Sequence, residues 1–363
     1  GGVLSLLARH CDFPKGWTAF AVVWLWLSQL MIFCALQPMS DTPALFWSLV
    51  VLYTAIRSRS GSAWCFGCGM ALSMAVLVRP TDALLIFPVF IGIGFRPVAL
   101  LWLILGGVPG GAFLGLYDHQ VYGAILTTGY GDVASAFALR FFARGLGNIC
   151  RWIPDLLSPL ICLGLALPFL KASWSRDAVV VTVWTGLLCA FYSFYFYTGE
   201  FWWYLRFILP VFPFLILGAI AVLRKLVHAR SRWRKASLLA IVAFPLFWEV
   251  RLGDRLHPVW IAADEQTYAL SSDWAKENLP ASSAIVCFQV SGAFFYYTDF
   301  LLVRWDQIEK DFIPPLLKVL HDQHRPVYAV LYEFETKDAL AKFGGEWKKI
   351  TAVGKSTIWQ REN

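Results

Sequence analysis

Long apolar runs separated by short polar turns dominate the first two-thirds of the chain. They fall at roughly 17–38, 43–56, 63–78, 83–94, 98–117, 152–170, 178–197, 207–223 and 236–250. Such a run reads as a membrane helix as it approaches the ~20 residues that cross a hydrocarbon core. Several fall short of that, and 83–94 and 236–250 each carry a proline (Pro88, Pro245), which membrane helices tolerate better than soluble ones. The pattern predicts a mostly α fold, a transmembrane bundle of about nine helices over residues 1–250. From Arg251 the texture changes. An amphipathic helix over 263–278 stops at Leu279-Pro280, and strands at 284–290, 301–305 and 326–334 alternate with helices at AFFYY, 308–321 and 335–342. Two closing strands near 347–351 and 356–360 complete a small α/β domain over 251–363.

Composition fits a chain whose solvent is largely lipid. Hydrophobic residues make up 58% and charged residues 15%, against about a quarter charged in a soluble domain, and the mean hydropathy is +0.59. The 18 Trp and 29 Phe suit rings anchored at the lipid–water boundary. The net charge of +7 is unevenly spread: 18 Lys and Arg stand against 9 Asp and Glu up to Val250, and 13 against 15 beyond it. The basic excess therefore belongs to the membrane part, where it reports orientation, and nucleic acid is set aside as a partner.

Orientation follows from alternation. The linker 224–235 carries Arg224, Lys225, Arg230, Arg232, Arg234 and Lys235 and is expected on the cytoplasmic side. Counting back one span at a time places thirteen basic residues inside and five outside: Arg79, Arg140, Arg144, Arg151 and Arg206. Asp41, Asp82, Asp118, Asp132, Asp155, Glu200 and Glu249 also fall outside, and only Asp12 and Asp177 inside. The expected location is the plasma membrane, multi-pass, with the C-terminal domain exoplasmic. The chain opens on Gly1-Gly2 with no signal-peptide pattern after it, which suggests an N-terminal truncation. Cys65 and Cys68 form a CxxC inside an apolar run and read as small packing residues, since a redox or zinc site needs a polar, accessible setting.

Four clusters on the expected outer side could carry chemistry. Gln37-Pro38-Met39-Ser40-Asp41-Thr42-Pro43 is a polar turn between two spans, with Asp41 either a helix cap or a functional carboxylate. Arg79-Pro80-Thr81-Asp82 is either a local ion pair or an arginine placed to grip a lipid phosphate. The connection 118–150 begins Asp118-His119 and carries Thr127-Thr128-Gly129-Tyr130-Gly131-Asp132, whose glycines permit close approach of a ligand. Glu200-Phe201-Trp202-Trp203-Tyr204-Leu205-Arg206 reads as an interfacial aromatic belt or a sugar platform, with Arg206 either paired to Glu200 or free for a phosphate.

Taken in order, SDTP at 40–43, LVRPTD at 77–82, YG with TTGYG within 122–131 and WWYLRFILPVFP at 202–213 resemble the GT-C superfamily of polytopic glycosyltransferases. The likeness is to the bacterial branch that includes protein O-mannosyltransferases and the lipid A aminoarabinose transferase. It implies a polyprenyl-phosphate sugar as donor, a lipid, glycan or protein hydroxyl as acceptor, membrane lipids as surroundings, and inverting transfer at the outer face. It implies a catalytic role for Asp41 and donor-phosphate or substrate contacts from Arg79, Asp82, Asp118, His119, Tyr130, Asp132, Glu200 and Arg206. Positive charge for the departing phosphate comes from arginine, lysine or a divalent metal. In such families the principal catalytic acid lies in the first exoplasmic loop, which is expected to be missing here, leaving Asp41 a secondary or positional part. A transporter or flippase for a lipid-linked sugar is the alternative, although no internal repeat or midplane charge favours it.

Overall fold

A computed structural model describes residues 1–37, 39–125, 127, 134–169, 175–228 and 234–362. These divide into two compact units, Gly1–Val259 and Trp260–Asn363. The first is built from α1 (Gly2–His10), α2 (Lys15–Leu27), α3 (Gln29–Leu36), α4 (Asp41–Arg57), α5 (Ser62–Val78), α6 (Ile86–Ile93), α7 (Pro97–Tyr122), α8 (Phe142–Leu157), α9 (Arg176–Ser193), α10 (Phe212–His228) and α11 (Arg234–Leu256). Arg251, Asp254 and Arg255, polar as they are, continue α11 past the apolar pattern.

Few of these helices cross a bilayer by length alone. Among the described residues, Pro97–Tyr122 and the continuous stretch Trp202–Leu226 are long and apolar enough. The run 17–38 is broken: α2 and α3 meet at 60°, because Ser28 between them is extended (ψ 134°). The run 152–170 is also split, since α8 begins at Phe142 and Ser158 turns the chain at φ 67° into a tighter 3₁₀ stretch, Pro159–Phe169. The long connection is shorter than expected at both ends, because α7 carries Asp118 and His119 to Tyr122 and α8 starts well before residue 150.

The core of this unit lies around Trp24, Leu52, Trp184, Leu188 and Phe212, all fully buried. The Trp202–Leu226 stretch is 72% buried and central, whereas α7 is 17% buried and peripheral. Helix α7 is held by α5 through glycines: a side chain at Gly69 would run into the Leu103 carbonyl, and one at Gly106 into the Phe66 carbonyl. That contact brings two backbones together as small residues do in membranes. Cys65 and Cys68 are buried and free, with their thiols toward the Ser58 and Val51 carbonyls, so they pack rather than react.

The second unit follows its sequence pattern closely. It contains α12 (Ile261–Asn278), β1 (Ala284–Cys287), α13 (Ser291–Tyr297), β2 (Leu301–Arg304), α14 (Ile313–Asp322), β3 (Val327–Tyr332), α15 (Glu333–Phe343), β4 (Trp347–Val353) and β5 (Ser356–Arg361). The sheet order is β2-β1-β3-β5-β4, with β1 parallel to β2 and β3, and β5 antiparallel to β3 and β4. Alternate residues feed two cores, as period-two side chains must. Ile285, Cys287 and Val290 pack with Ala275 and Phe294 on one side, and Val286, Ala329 and Leu331 with Ile313, Ala339 and Phe343 on the other. The pairing of β4 slips between Lys349 and Thr351, a bulge in the edge strand.

Candidate functional site

The turns at the ends of α4, α5 and α9 and the 3₁₀ stretch Trp202–Val211 enclose a cavity of about 570 Å³. Its walls carry Asp41, Arg79, Thr81, Tyr192, Arg206 and Phe207, with Met39, Ser40, Pro80, Phe137 and Tyr195 completing them.

Each polar group reaches the cavity for a local reason. Asp41 is the first residue of α4, where the unpaired amides of the helix start favour a negative charge. Ser40 makes no side-chain cap there, so Asp41 stands at the helix start without one. Arg79 leaves α5 in extended conformation (φ −149°, ψ 111°) ahead of Pro80, as a residue before proline prefers. Its Nη2 donates to Asp41 Oδ1 and its Nη1 to the Phe207 carbonyl at 3.3 Å. Asp41 and Arg79 are 2% and 7% exposed, so the pair is almost fully desolvated. Removing one partner of such a pair costs about 3–5 kcal/mol, because the other charge is left buried.

Phe207 organises the rest. It stacks on Tyr192 (5.2 Å, 12°), and the guanidinium groups of Arg79 and Arg206 lie 5.7 and 5.1 Å from its ring centre. The Tyr192 hydroxyl and Thr81 Oγ1 are 2.8 Å apart. Phe137 and Tyr195 stack at 4.8 Å and are joined by a β-bridge, which closes one wall. Arg206 has no carboxylate among the described residues. It donates from Nη1 to the weak acceptor Met39 Sδ at 2.9 Å, and its Nε is buried without a partner. Beyond the wall, Asp82 is 1% exposed, and neither of its oxygens accepts a hydrogen bond among the described residues. The Ser48 hydroxyl faces it without reaching hydrogen-bond geometry.

Chemically, the cavity offers two guanidinium groups, one carboxylate, four hydroxyls and a set of aromatic faces. That is a cationic, water-poor setting, suited to an anion with an apolar or ring-shaped remainder. Among the described residues no three His, Cys, Asp or Glu side chains converge as metal ligands. Arg79 and Arg206 put positive charge on the wall.

The fold is that of ArnT. ArnT from Cupriavidus metallidurans bound to undecaprenyl phosphate superposes with a TM-score of 0.57 at 14% identity. Its apo state gives 0.60 at 12% identity, and each alignment covers 99% of this chain and 81% of the ArnT chain. No family model and no curated protein matches the sequence. The likeness to ArnT bears out, at the level of fold, the resemblance to the GT-C glycosyltransferases drawn from the ordered motifs. Like ArnT, the chain has the fold of a polytopic membrane protein with a small mixed α/β unit at its C-terminal end.

The motif residues meet only in part. Asp41, Arg79 and Arg206 converge on the cavity, although the motifs that hold them are far apart in sequence. Arg79 pairs with Asp41, 38 residues away, rather than with neighbouring Asp82. Glu200 pairs with Arg144 at 2.9 Å rather than with Arg206. Asp118 is buried and His119 exposed, both on the last turn of α7 and off the cavity wall. Tyr130 and Asp132 lie outside the described residues. Reading the sequence alone misses Tyr192, and it holds Met39 and Phe207 within its motifs without giving either a role. The run Phe191–Tyr197, six aromatics in seven residues, was the available signal for Tyr192, but it looks like any interfacial belt.

Proposed function

We propose that the chain transfers a sugar from a polyprenyl-phosphate carrier to a hydroxyl acceptor at the outer face of the membrane, with inversion. The observation that carries this reading is Arg206, a guanidinium on the cavity wall with no carboxylate partner among the described residues, beside the buried Asp41–Arg79 pair. ArnT, with the same fold, has been captured with undecaprenyl phosphate, which supports a polyprenyl phosphate as the lipid partner.

In this reading Arg206 and the free donors of Arg79 hold the donor phosphate. The acceptor oxygen attacks the anomeric carbon, the carbon–oxygen bond to phosphate breaks, and its electron pair leaves with the lipid phosphate. The acceptor proton passes to a carboxylate within hydrogen-bond reach. Asp41 is the carboxylate on the described wall, and its salt bridge makes it above all the residue that holds Arg79 in place. Arginine charge aimed at the departing phosphate stabilises the charge developing there. The sequence expectation of about nine spans with thirteen basic residues inside supports an outer-side location for the cavity, and likewise for the C-terminal domain.

The test is turnover by the reconstituted protein with a polyprenyl-phosphate sugar and a hydroxyl acceptor. Release of lipid phosphate coupled to glycosylated product supports transfer, and failure to release any would overturn it.

A second reading, a carrier for a lipid-linked sugar, draws on the α2–α3 break. There Ser28 and Gln29 are buried and Gln29 Nε2 donates to the Glu249 carbonyl at 2.8 Å. Broken helices with buried polar groups are used by transporters. Movement of an intact donor between leaflets, without cleavage, would favour this reading over transfer.

A further inference from the structure

Three of the five arginines that the orientation places outside cluster within a dozen residues, against the usual bias of basic residues to the inner side. They are Arg140, in the turn Leu139–Phe141, and Arg144 and Arg151 on α8. Positions 144 and 151 are seven apart on α8 and share one face, and Arg140 stands in the turn that leads into the helix. All three are exposed, and so are two leucines near them, Leu139 in the turn and Leu146 on the helix. The opposite face is buried through Gly145, Ile149, Leu156 and Leu157.

The packing of α8 shows where that face lies. At one end Gly145 presses against the Ser193 carbonyl, the last residue of α9, so closely that a side chain there could not fit. Asn148 Nδ2 donates to the Thr198 carbonyl at 2.7 Å, and Arg144 pairs with Glu200, both in the turn beyond α9. About 15 Å further along the axis, at 1.5 Å per residue, the Asp155 carbonyl accepts from Trp248 Nε1 (2.7 Å). Its carboxylate pairs with Arg255 (3.1 Å), near the end of α11. In touching the C-terminal parts of α9 and α11, whose apolar runs the sequence reads as spans, α8 lies across both.

The charge on this face is not cancelled. Glu200 is taken by Arg144 and Asp155 by Arg255, while Arg140 and Arg151 have no carboxylate among the described residues. Their guanidinium groups sit over the Phe141 and Trp152 rings, 4.7 and 5.4 Å from the centres. Rings at these distances hold a cation in place without neutralising it. A helix with a packed apolar face and an outward face of arginine and leucine has the composition of an interfacial lipid binder.

We propose that the outward face of α8, through Arg140 and Arg151 with Arg144 between them, binds the phosphate headgroups of anionic lipids in the outer leaflet. The occupant is a lipid rather than a soluble anion because exposed Leu139 and Leu146 accompany the arginines, which a free phosphate would not need. The inference rests on the sidedness proposed above and not on the transferase reading.

The test uses the whole chain in detergent with equal amounts of phosphatidylglycerol and phosphatidylcholine, and counts retained lipids by native mass spectrometry. Each surface arginine near an anionic lipid contributes about fivefold in affinity. The wild type should therefore prefer phosphatidylglycerol by tenfold or more, to about twenty-five. Arg140→Gln/Arg151→Gln should fall to near parity, Arg140→Lys/Arg151→Lys should keep most of the preference, and Lys348→Gln/Lys349→Gln in the C-terminal unit should keep it all. High salt should weaken it. Parity in the wild type, or an unchanged preference in the glutamine variant, overturns the proposal. Displacement of the lipid by millimolar inorganic phosphate would do so too, by assigning the face to a soluble anion. Because the readout is lipid retention, the outcome is independent of whether any sugar is transferred.

Discussion

The wall residues Asp41, Arg79 and Arg206 divide the work between structure and binding. Arg206→Ala removes a guanidinium with no carboxylate partner among the described residues, so folded protein should persist. If the cavity takes a lipid phosphate, turnover should fall by about 100-fold or more, as when a donor to developing charge is deleted. An unchanged rate would remove Arg206 from the site. Asp41→Asn is different in kind, since it leaves Arg79 buried without its counter-charge. A loss of about 3–5 kcal/mol is expected, visible as an earlier thermal transition in detergent, and Asp41→Asn/Arg79→Gln should recover part of it. A double variant no more stable than the single one would show that the pair is not what holds this turn. Sequence motifs pointed to these three residues but not to their pairing. A contact between residues 38 apart leaves no trace in local periodicity, so the neighbouring Asp82 looked the natural partner for Arg79.

Helices α5 and α7 make a sharper test of packing than any core leucine. Gly69→Val and Gly106→Val should each force the helices apart and destabilise by more than the 1–3 kcal/mol usual for overpacking, roughly, because the obstacle is backbone carbonyl that cannot rotate away. Gly107→Ala, whose added carbon would meet nothing nearer than 3.7 Å, should be tolerated. Comparable melting of all three variants would contradict the close crossing. At this scale the sequence was read well where a run was uniform and badly where it was interrupted from within. The run 17–38 is apolar on average, so the single residue that breaks it, Ser28, is invisible to hydropathy. The run 152–170 misled in the opposite way. Helix α8 begins among glycines and arginines that hydropathy discounts, because its amphipathic face is satisfied by α9 and not by lipid.

Across the whole chain, the C-terminal unit was the more legible half. Its strands alternate with helices and its turns carry proline and glycine, so all five strands appear close to their expected places. The number of spans was not legible to the same degree, since bends, 3₁₀ stretches and short helices share the apolar runs. The same unit offers a pH test. Arg304 Nε and Nη2 hold Asp306 at 2.8 and 2.6 Å, and chiefly that hydrogen bonding lowers the Asp306 carboxyl below its ordinary value of 3.8. A depressed acid stabilises the fold fully above its unfolded value and loses that contribution as pH falls through the folded one. Asp306→Asn should therefore melt below the wild type at neutral pH, modestly because the pair is partly exposed, and the gap should close on acidification below 3.8. A gap that persists in acid would mean packing rather than charge is at stake. The bulge at Lys349–Thr351 has a further consequence. The sheet ends on one side in β4, bent there and bearing exposed Lys348 and Lys349, and on the other in β2, four residues closing on Arg304. A neighbouring molecule that tried to continue the ladder would meet a kink or a cation at either margin. Crowded side by side in a membrane, copies of this protein should stay individually soluble at their C-terminal ends, and Lys348→Val/Lys349→Val should be the change that lets them stick.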